Sequence, residues 1–257
     1  MERNVKLIIA YDGSDFSGWQ SQAGQRTVQQ EVEHVLIRTL RHPASLAAAS
    51  RTDAGVHARG QTAGFRTSCV IPIENLRRAL ASRLPPDVTI VHAADVPPTF
   101  HASRDALGKL YRYTLYASQH APAEELAARY AWHVWHPLDL DRMRRAAAAF
   151  IGLHDFAGFA NQGSPRETTT RTINRVGIWR RGRRVHIDVE GERFLYNQVR
   201  IMVGTLVEIG RGHWPPERVA SVLASRDRSQ AGQTAPPQGL CLQWVRYPAQ
   251  RSMADGA

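Results

Sequence analysis

Residues 50–65 read SRTDAGVHARGQTAGF, and the way this stretch divides decides how the chain around it folds. Its second part, around Gln61 to Thr67, suits a strand, and Gly55 permits a tight turn ahead of it. Asp53 then falls on an exposed loop tip between two strands, with Arg51, His57 and Arg59 close by. Loops held by rigid strands are where chemistry is most often placed. With an intrinsic pKa of about 3.9, Asp53 is anionic at neutral pH, and Arg51 is expected to favour that form. A carboxylate so placed either accepts backbone hydrogen bonds inside its own turn or attacks an electrophilic carbon. The rest of the chain has to separate the two.

Working outward from the loop, Val5 to Tyr11 alternates as a strand does, and Asp12-Gly13 supplies a turn. TVQQEVEHVLIRTL predicts a helix with a Thr27–Gln30 capping box and an apolar face of Val28, Val32, Val35, Leu36 and Leu40. A short strand is expected near Leu46. Pro72 opens a helix through Leu80, where its missing N–H has no partner to lose. Strands follow at Val88 to Val91 and at KLYRYTLY, 109–116, with Tyr111 and Tyr113 on one face. The stretch HAPAEELAAR, 120–129, has the composition of a junction. LDLDRMRRAAAAFIG predicts a helix ended by Gly152, and RTINRVGIW with RRVHIDVEG predicts a hairpin around Arg181-Gly182. FLYNQVRIMVGTLVEIG reads as a buried helix, another helix follows Pro215-Pro216, and LCLQWVRY ends the fold as a strand. The tail from Ala249 is expected to fray.

Strands and helices in both halves, with hairpin-like returns, predict an α+β fold on antiparallel sheets flanked by helices, not a doubly wound parallel sheet. An internal echo suggests two related domains. Asp15-Phe16-Ser17-Gly18-Trp19 matches Asp155-Phe156-Ala157-Gly158-Phe159, with Gln22 and Gln162 at equal distance. We place the domains at residues 1–120, carrying the Asp53 loop, and 121–257, completing a basic cleft between them.

The 257 residues carry a formal net charge of +10 and are 43% hydrophobic, enough for a full core and suited to a polyanionic partner. Lys6 and Lys109 are the only lysines, so Arg supplies nearly all the positive charge. A genomic bias toward arginine explains that choice but not the shortage of acids. No segment reaches membrane-spanning length, and the opening stretch is too short for a signal peptide, so a cytoplasmic protein is expected. Cys69 and Cys241 stand far apart without His or Cys at metal-ligand spacing. His154-Asp155 and the pair His101 and Asp105 come nearest to a metal cluster. Phosphate-loop, dinucleotide, HExxH and GxSxG elements are missing, which argues against nucleotide hydrolysis, hydride transfer and serine hydrolysis.

The string SRTDAGVHA resembles the catalytic motif of the tRNA pseudouridine synthase A family. YDGSDFSGWQSQ at 11–22, FHA with KLYRY, GLHDFAGF, FLYNQVRIMVGTL and TAPPQGLCL resemble further blocks of that family, in order from Tyr11 to Tyr247. The resemblance implies isomerisation of uridine to pseudouridine in the anticodon stem-loop of tRNA, by a homodimer that needs neither cofactor nor metal. It makes Asp53 the nucleophile and Tyr111 the tyrosine that stacks on the target base and takes part in proton transfer. Arg51 matches the arginine that fills the space of a flipped nucleotide, Arg200 the partner of the carboxylate, and Leu240 the apolar wall of the pocket. Ser50, Ser103, Gln198 and Pro237 depart from residues common there. Arg181, Arg183 and Arg184 at the hairpin tip are further candidates for phosphate contacts. The alternative of another class is a non-catalytic tRNA-binding protein of the same fold; a metal-dependent nuclease would need clustered carboxylates.

Overall fold

The computed structural model describes residues 2–123, 128–161 and 168–248. The first half runs β1 (Arg3–Tyr11), α1 (Val28–Leu40), β2 (Ala47–Ala48), β3 (His57–Thr67), α2 (Ile73–Ala81), β4 (Val88–Val96) and β5 (Gly108–Ala117). The second adds β6 (Trp132–Val134), α3 (Leu140–Ala148), β7 (Gly152–Asp155), β8 (Thr170–Arg181) and β9 (Arg184–Gly191). It closes with α4 (Gln198–Gly210), α5 (Arg218–Ser225) and β10 (Leu240–Arg246). The chain is α+β, as its sequence predicts.

The ten strands share one sheet in the order β4-β1-β3-β10-β5-β9-β8-β7, with β2 on β3 and β6 on β5. Pairing is antiparallel except where β10 meets β3 and β6 meets β5. The last strand therefore lies at the centre. Cys241 and Leu242 sit opposite His57 and Ala58 on one side, and Leu240 sits opposite Tyr113 on the other. That placement brings β10 beside the loop that precedes β3.

Strand alternation decides what is buried. Val5, Leu7 and Ile9 of β1 join Val32 and Leu36 of α1 and Leu76 and Leu80 of α2 in one core. Tyr111, Tyr113 and Leu115 of β5 belong to the same core, with Ile201, Met202 and Leu206 of α4. Nearly every side chain of α4 is buried, so it reads as a continuous apolar run rather than a stripe.

Several boundaries depart from expectation for identifiable reasons. Thr27 does not cap α1 through its side chain; its hydroxyl donates to Gln30 Oε1 at 2.8 Å instead. Pro72 occupies the cap position of α2, one residue before the first helical position. α3 stops at Ala148 because Ala149, Phe150 and Ile151 close three-residue turns, and Gly152, with φ +110°, starts β7. α4 begins at Gln198 and not Phe194, because Asn197 takes the left-handed conformation with φ 59°. The expected hairpin is present, with Gly182 at φ +59° in its turn. The expected junction at 120–129 falls partly on residues outside the described ones. Gln162 of the internal echo and the tail from Ala249 lie outside them as well.

Candidate active site

The Asp53 loop is fixed from beneath by the end of β1 and the segment after it. Tyr11 and Thr52 hydroxyls meet at 2.7 Å, Trp19 donates its backbone N–H to Thr52 O at 3.1 Å, and Gly55 donates to Phe16 O at 3.2 Å. Gly18 makes this approach possible. Its φ is +93°, and a Cβ there would sit 2.7 Å from Thr52 O. The block YDGSDFSGW thus serves as the bed of the loop. Within the loop, Val56 N–H closes a turn onto Asp53 O at 3.1 Å, and Gly55 supplies the positive φ of +76°.

The Asp53 carboxylate itself does not cap that turn. Its Oδ2 accepts from Arg200 Nη1 at 3.1 Å. Arg200 is aimed by two further bonds, Nε to Ala235 O at 2.7 Å and Nη1 to Asn197 Oδ1 at 2.8 Å. The left-handed Asn197 ahead of α4 therefore orients the arginine one turn into the helix. Arg51, expected to be the cation favouring ionisation, is exposed, and the carboxylate pairs with Arg200. The net direction also differs from expectation: burial raises the Asp53 pKa, and Arg200 opposes that rise without cancelling it.

Tyr111 stands beside this pair on β5. It is 5% exposed, its phenol lies 2.8 Å from Ser50 Oγ, and its ring meets Phe194 edge-on at 5.2 Å and 87°. Burial pushes its pKa well above the ordinary phenol range, and the Asp53 charge pushes the same way. It is a neutral phenol at any working pH. Leu240 enters the wall from the turn Pro237–Gly239, where Gly239 packs so closely on the Tyr113 ring that a Cβ would lie 2.5 Å from it.

His57, four residues past Asp53, braces the loop. Gly13 N–H donates to its Nδ1 at 3.0 Å, and its Nε2 lies 3.1 Å from Gln238 O. An Nδ1 that accepts carries no proton, so the 3.1 Å approach of Asp12 Oδ1 to it is not an ion pair of a charged imidazolium. Burial lowers the His57 pKa, in agreement.

All five residues singled out in the sequence, Arg51, Asp53, Tyr111, Arg200 and Leu240, line one open cleft of ≈ 1370 Å³. Arg104, Lys109, Arg171 and Arg193 line it too, and Asp53 is its only carboxylate among the described residues. The sequence reading missed Ser50, Lys109, Phe194 and Tyr196 as parts of this wall. Phe194 and Tyr196 precede Arg200 in the quoted helix block, and an aromatic pair at the mouth of a basic site was the signal available. Arg181, Arg183 and Arg184 lie elsewhere, lining a separate cleft of ≈ 780 Å³ with Arg112, Tyr116, Trp179 and His186. By strand alternation Arg112 faces the side of β5 opposite Tyr111.

The carboxylates of the suspected metal pairs are taken up by hydrogen bonds and an ion pair. Asp155 accepts from Ala157 N–H and Thr169 Oγ1 and pairs with Arg226 at 3.2 Å, while Asp105 accepts from His101 N–H at 2.8 Å. Among the described residues no three His, Cys, Asp or Glu side chains gather as a metal site. Cys69 and Cys241 are free thiols.

A lone half-buried carboxylate, paired with a fixed arginine and faced by a neutral tyrosine in a basic cleft, defines a site for covalent or elimination chemistry on a polyanionic substrate. The family model for tRNA pseudouridine synthase matches residues 7–104 and 146–248. The chain is 47% identical over 246 residues to tRNA pseudouridine synthase A of Syntrophotalea carbinolica, covering 96% of this chain and 97% of that one. It is 46% identical over 245 residues to the enzyme of that name from Moorella thermoacetica, covering 95% and 99%. With that of Geobacter sp. it shares 45% over 248 residues, covering 96% and 99%. The chain belongs to the tRNA pseudouridine synthase family.

Proposed function

We propose that this protein isomerises uridine to pseudouridine in the anticodon stem-loop of tRNA. The reaction breaks the N1–C1′ bond, forms C5–C1′, takes a proton from C5 and returns one to N1, so atoms balance without a group donor. Asp53 assists departure of the base, either by attacking the anomeric carbon or by promoting elimination. Its raised pKa makes it a stronger base than an exposed aspartate, and Arg200 holds the ionised oxygen in place. Carboxylate assistance at an anomeric centre is glycosidase logic, except that water must be kept out. Leu240, Tyr111 and Phe194 supply the apolar wall.

The target base has to leave its stack, at a cost of a few kcal/mol that stacking on Tyr111 and phosphate contacts offset. Arg51, exposed at the cleft, takes the space of the flipped nucleotide, and Arg104 covers RNA contacts beside Ser103. The observation that carries the catalytic reading is the Asp53–Arg200 contact beside Tyr111, which RNA binding alone does not require. We further read residues 1–120 and 121–257 as two domains of one cytoplasmic enzyme that works as a homodimer. No helix among the described residues is long and apolar enough to cross a membrane.

The test is to map pseudouridine in tRNA from cells lacking this protein. Loss confined to the anticodon stem-loop is expected; an unchanged map would refute the assignment.

A further inference from the structure

Ser50 has no role in the reading above, yet its hydroxyl is the group that the Tyr111 phenol meets, at 2.8 Å. The residue is not a loose surface serine. Its carbonyl accepts from Gln61 Nε2 at 2.6 Å, and Gln61 is fully buried. Just before it, Ala49 O accepts from the buried Lys109 Nζ at 2.6 Å, and Ala49 N–H donates to Thr62 O at 2.8 Å. Lys109 and Tyr111 stand two apart on β5 and so share a face. That face grips two consecutive residues of the segment leading to Asp53: the lysine by a carbonyl, the tyrosine by a side chain.

We propose that Ser50 is a positioning residue for Tyr111, whose hydroxyl fixes the phenol and sets the direction of its O–H bond in the cleft. The proposal rests on the function given above. Two hydroxyls 2.8 Å apart can share their hydrogen in either sense. When Tyr111 donates to Ser50, the phenol offers a lone pair to the cleft. When Ser50 donates, the phenolic hydrogen points into the cleft. A serine hydroxyl changes between the two by rotating, with no movement of heavy atoms. Because Tyr111 stays neutral, the direction of this bond decides whether the phenol offers the cleft a hydrogen-bond acceptor or a donor while the base is rearranged.

Three variants separate this role from simple packing. Ser50→Thr keeps the hydroxyl. Ser50→Ala removes it and leaves the phenol without a fixed partner at the wall of the cleft. Ser50→Gly clears the β-carbon as well, which makes space for a water to take the bond. With saturating tRNA, S50A is expected to lower kcat about tenfold, the scale of one well-placed hydrogen bond, while KM changes by less than about twofold. S50T should stay within about threefold of the parent, and S50G should be faster than S50A. An S50A enzyme with unchanged kcat would overturn the proposal, as would a loss that S50T shares equally or one that appears only in KM. Melting curves of the same samples show whether a loss follows from unfolding. The reading of the site fails separately, if an Asp53→Asn enzyme still makes pseudouridine.

Discussion

At Asp53 two opposing effects act on one carboxyl group. Removal from water disfavours its charge, the Arg200 guanidinium favours it, and burial prevails. A folded-state pKa above the ordinary 3.8 means that the native protein binds more protons than the unfolded chain between 3.8 and the raised value. This group's contribution to stability is therefore greatest at low pH and falls as pH rises through that window. Activity runs the other way, because only the ionised form can attack or accept a proton. The acidic limb of kcat/KM should lie above 3.8, and a limb at or below it would contradict the burial argument. Arg200→Met should move the limb further up and lower kcat/KM at neutral pH by about tenfold or more. A limb that stays in place would show that Arg200 does not act on Asp53. Family resemblance singled out Asp53 through SRTDAGVHA and Tyr111 through KLYRY, where the residues alone left a turn-capping aspartate and a core tyrosine open. Neighbourhood in sequence misled about Arg51: the Arg51 side chain is exposed, whereas the guanidinium that reaches Asp53 comes from 147 residues further along. Ser50 was legible only as a departure from a pattern, because a side-chain bond to a residue 61 positions away leaves no local signal.

Elements with strong periodicity were legible: β1 from alternation, α1 from its apolar face, and the β8–β9 hairpin from Arg181-Gly182. The start of α4 was not, since its apolar run begins four residues before the helix and the break depends on Asn197 turning left-handed. Nor was the insertion of β10 between β3 and β5, because strand order is set by long-range pairing that no local pattern encodes. α4 also offers a test of how closely an element must pack to aim a catalytic partner. A Cβ on Gly204 would collide with Gln233 O, in the segment whose Ala235 carbonyl holds Arg200. Alanine normally improves a helix interior over glycine by roughly 0.5–1 kcal/mol. Here the clash should win, so Gly204→Ala is expected to cost about 1–3 kcal/mol in denaturant unfolding and to reduce kcat as Arg200 loses its aim. A more stable, fully active G204A protein would show that the segment yields freely.

For the molecule as a whole, the +10 charge and the arginine-lined cleft predict tRNA affinity that falls steeply with salt, through release of phosphate counterions. Replacing exposed Arg104 and Arg193 should flatten a plot of log affinity against log salt by about one unit each, whereas a slope near zero in the parent would remove the basic-cleft reading. Light scattering is expected to report a dimer; a mass near 28.7 kDa at micromolar concentration would count against it. If one carboxylate carries the isomerisation, Asp53→Asn should abolish it, since asparagine keeps the size and removes the charge. Arg200 would retain Asn197 and Ala235, so folding should survive. The decisive measurement is the pseudouridine yield of D53N on unmodified tRNA, with melting temperature and tRNA affinity taken on the same preparation. D53N is expected to fold, to bind tRNA and to form no pseudouridine. A variant that melts early by the roughly 0.5–2 kcal/mol of a lost cap yet still modifies tRNA would make Asp53 a structural residue and contradict the mechanism.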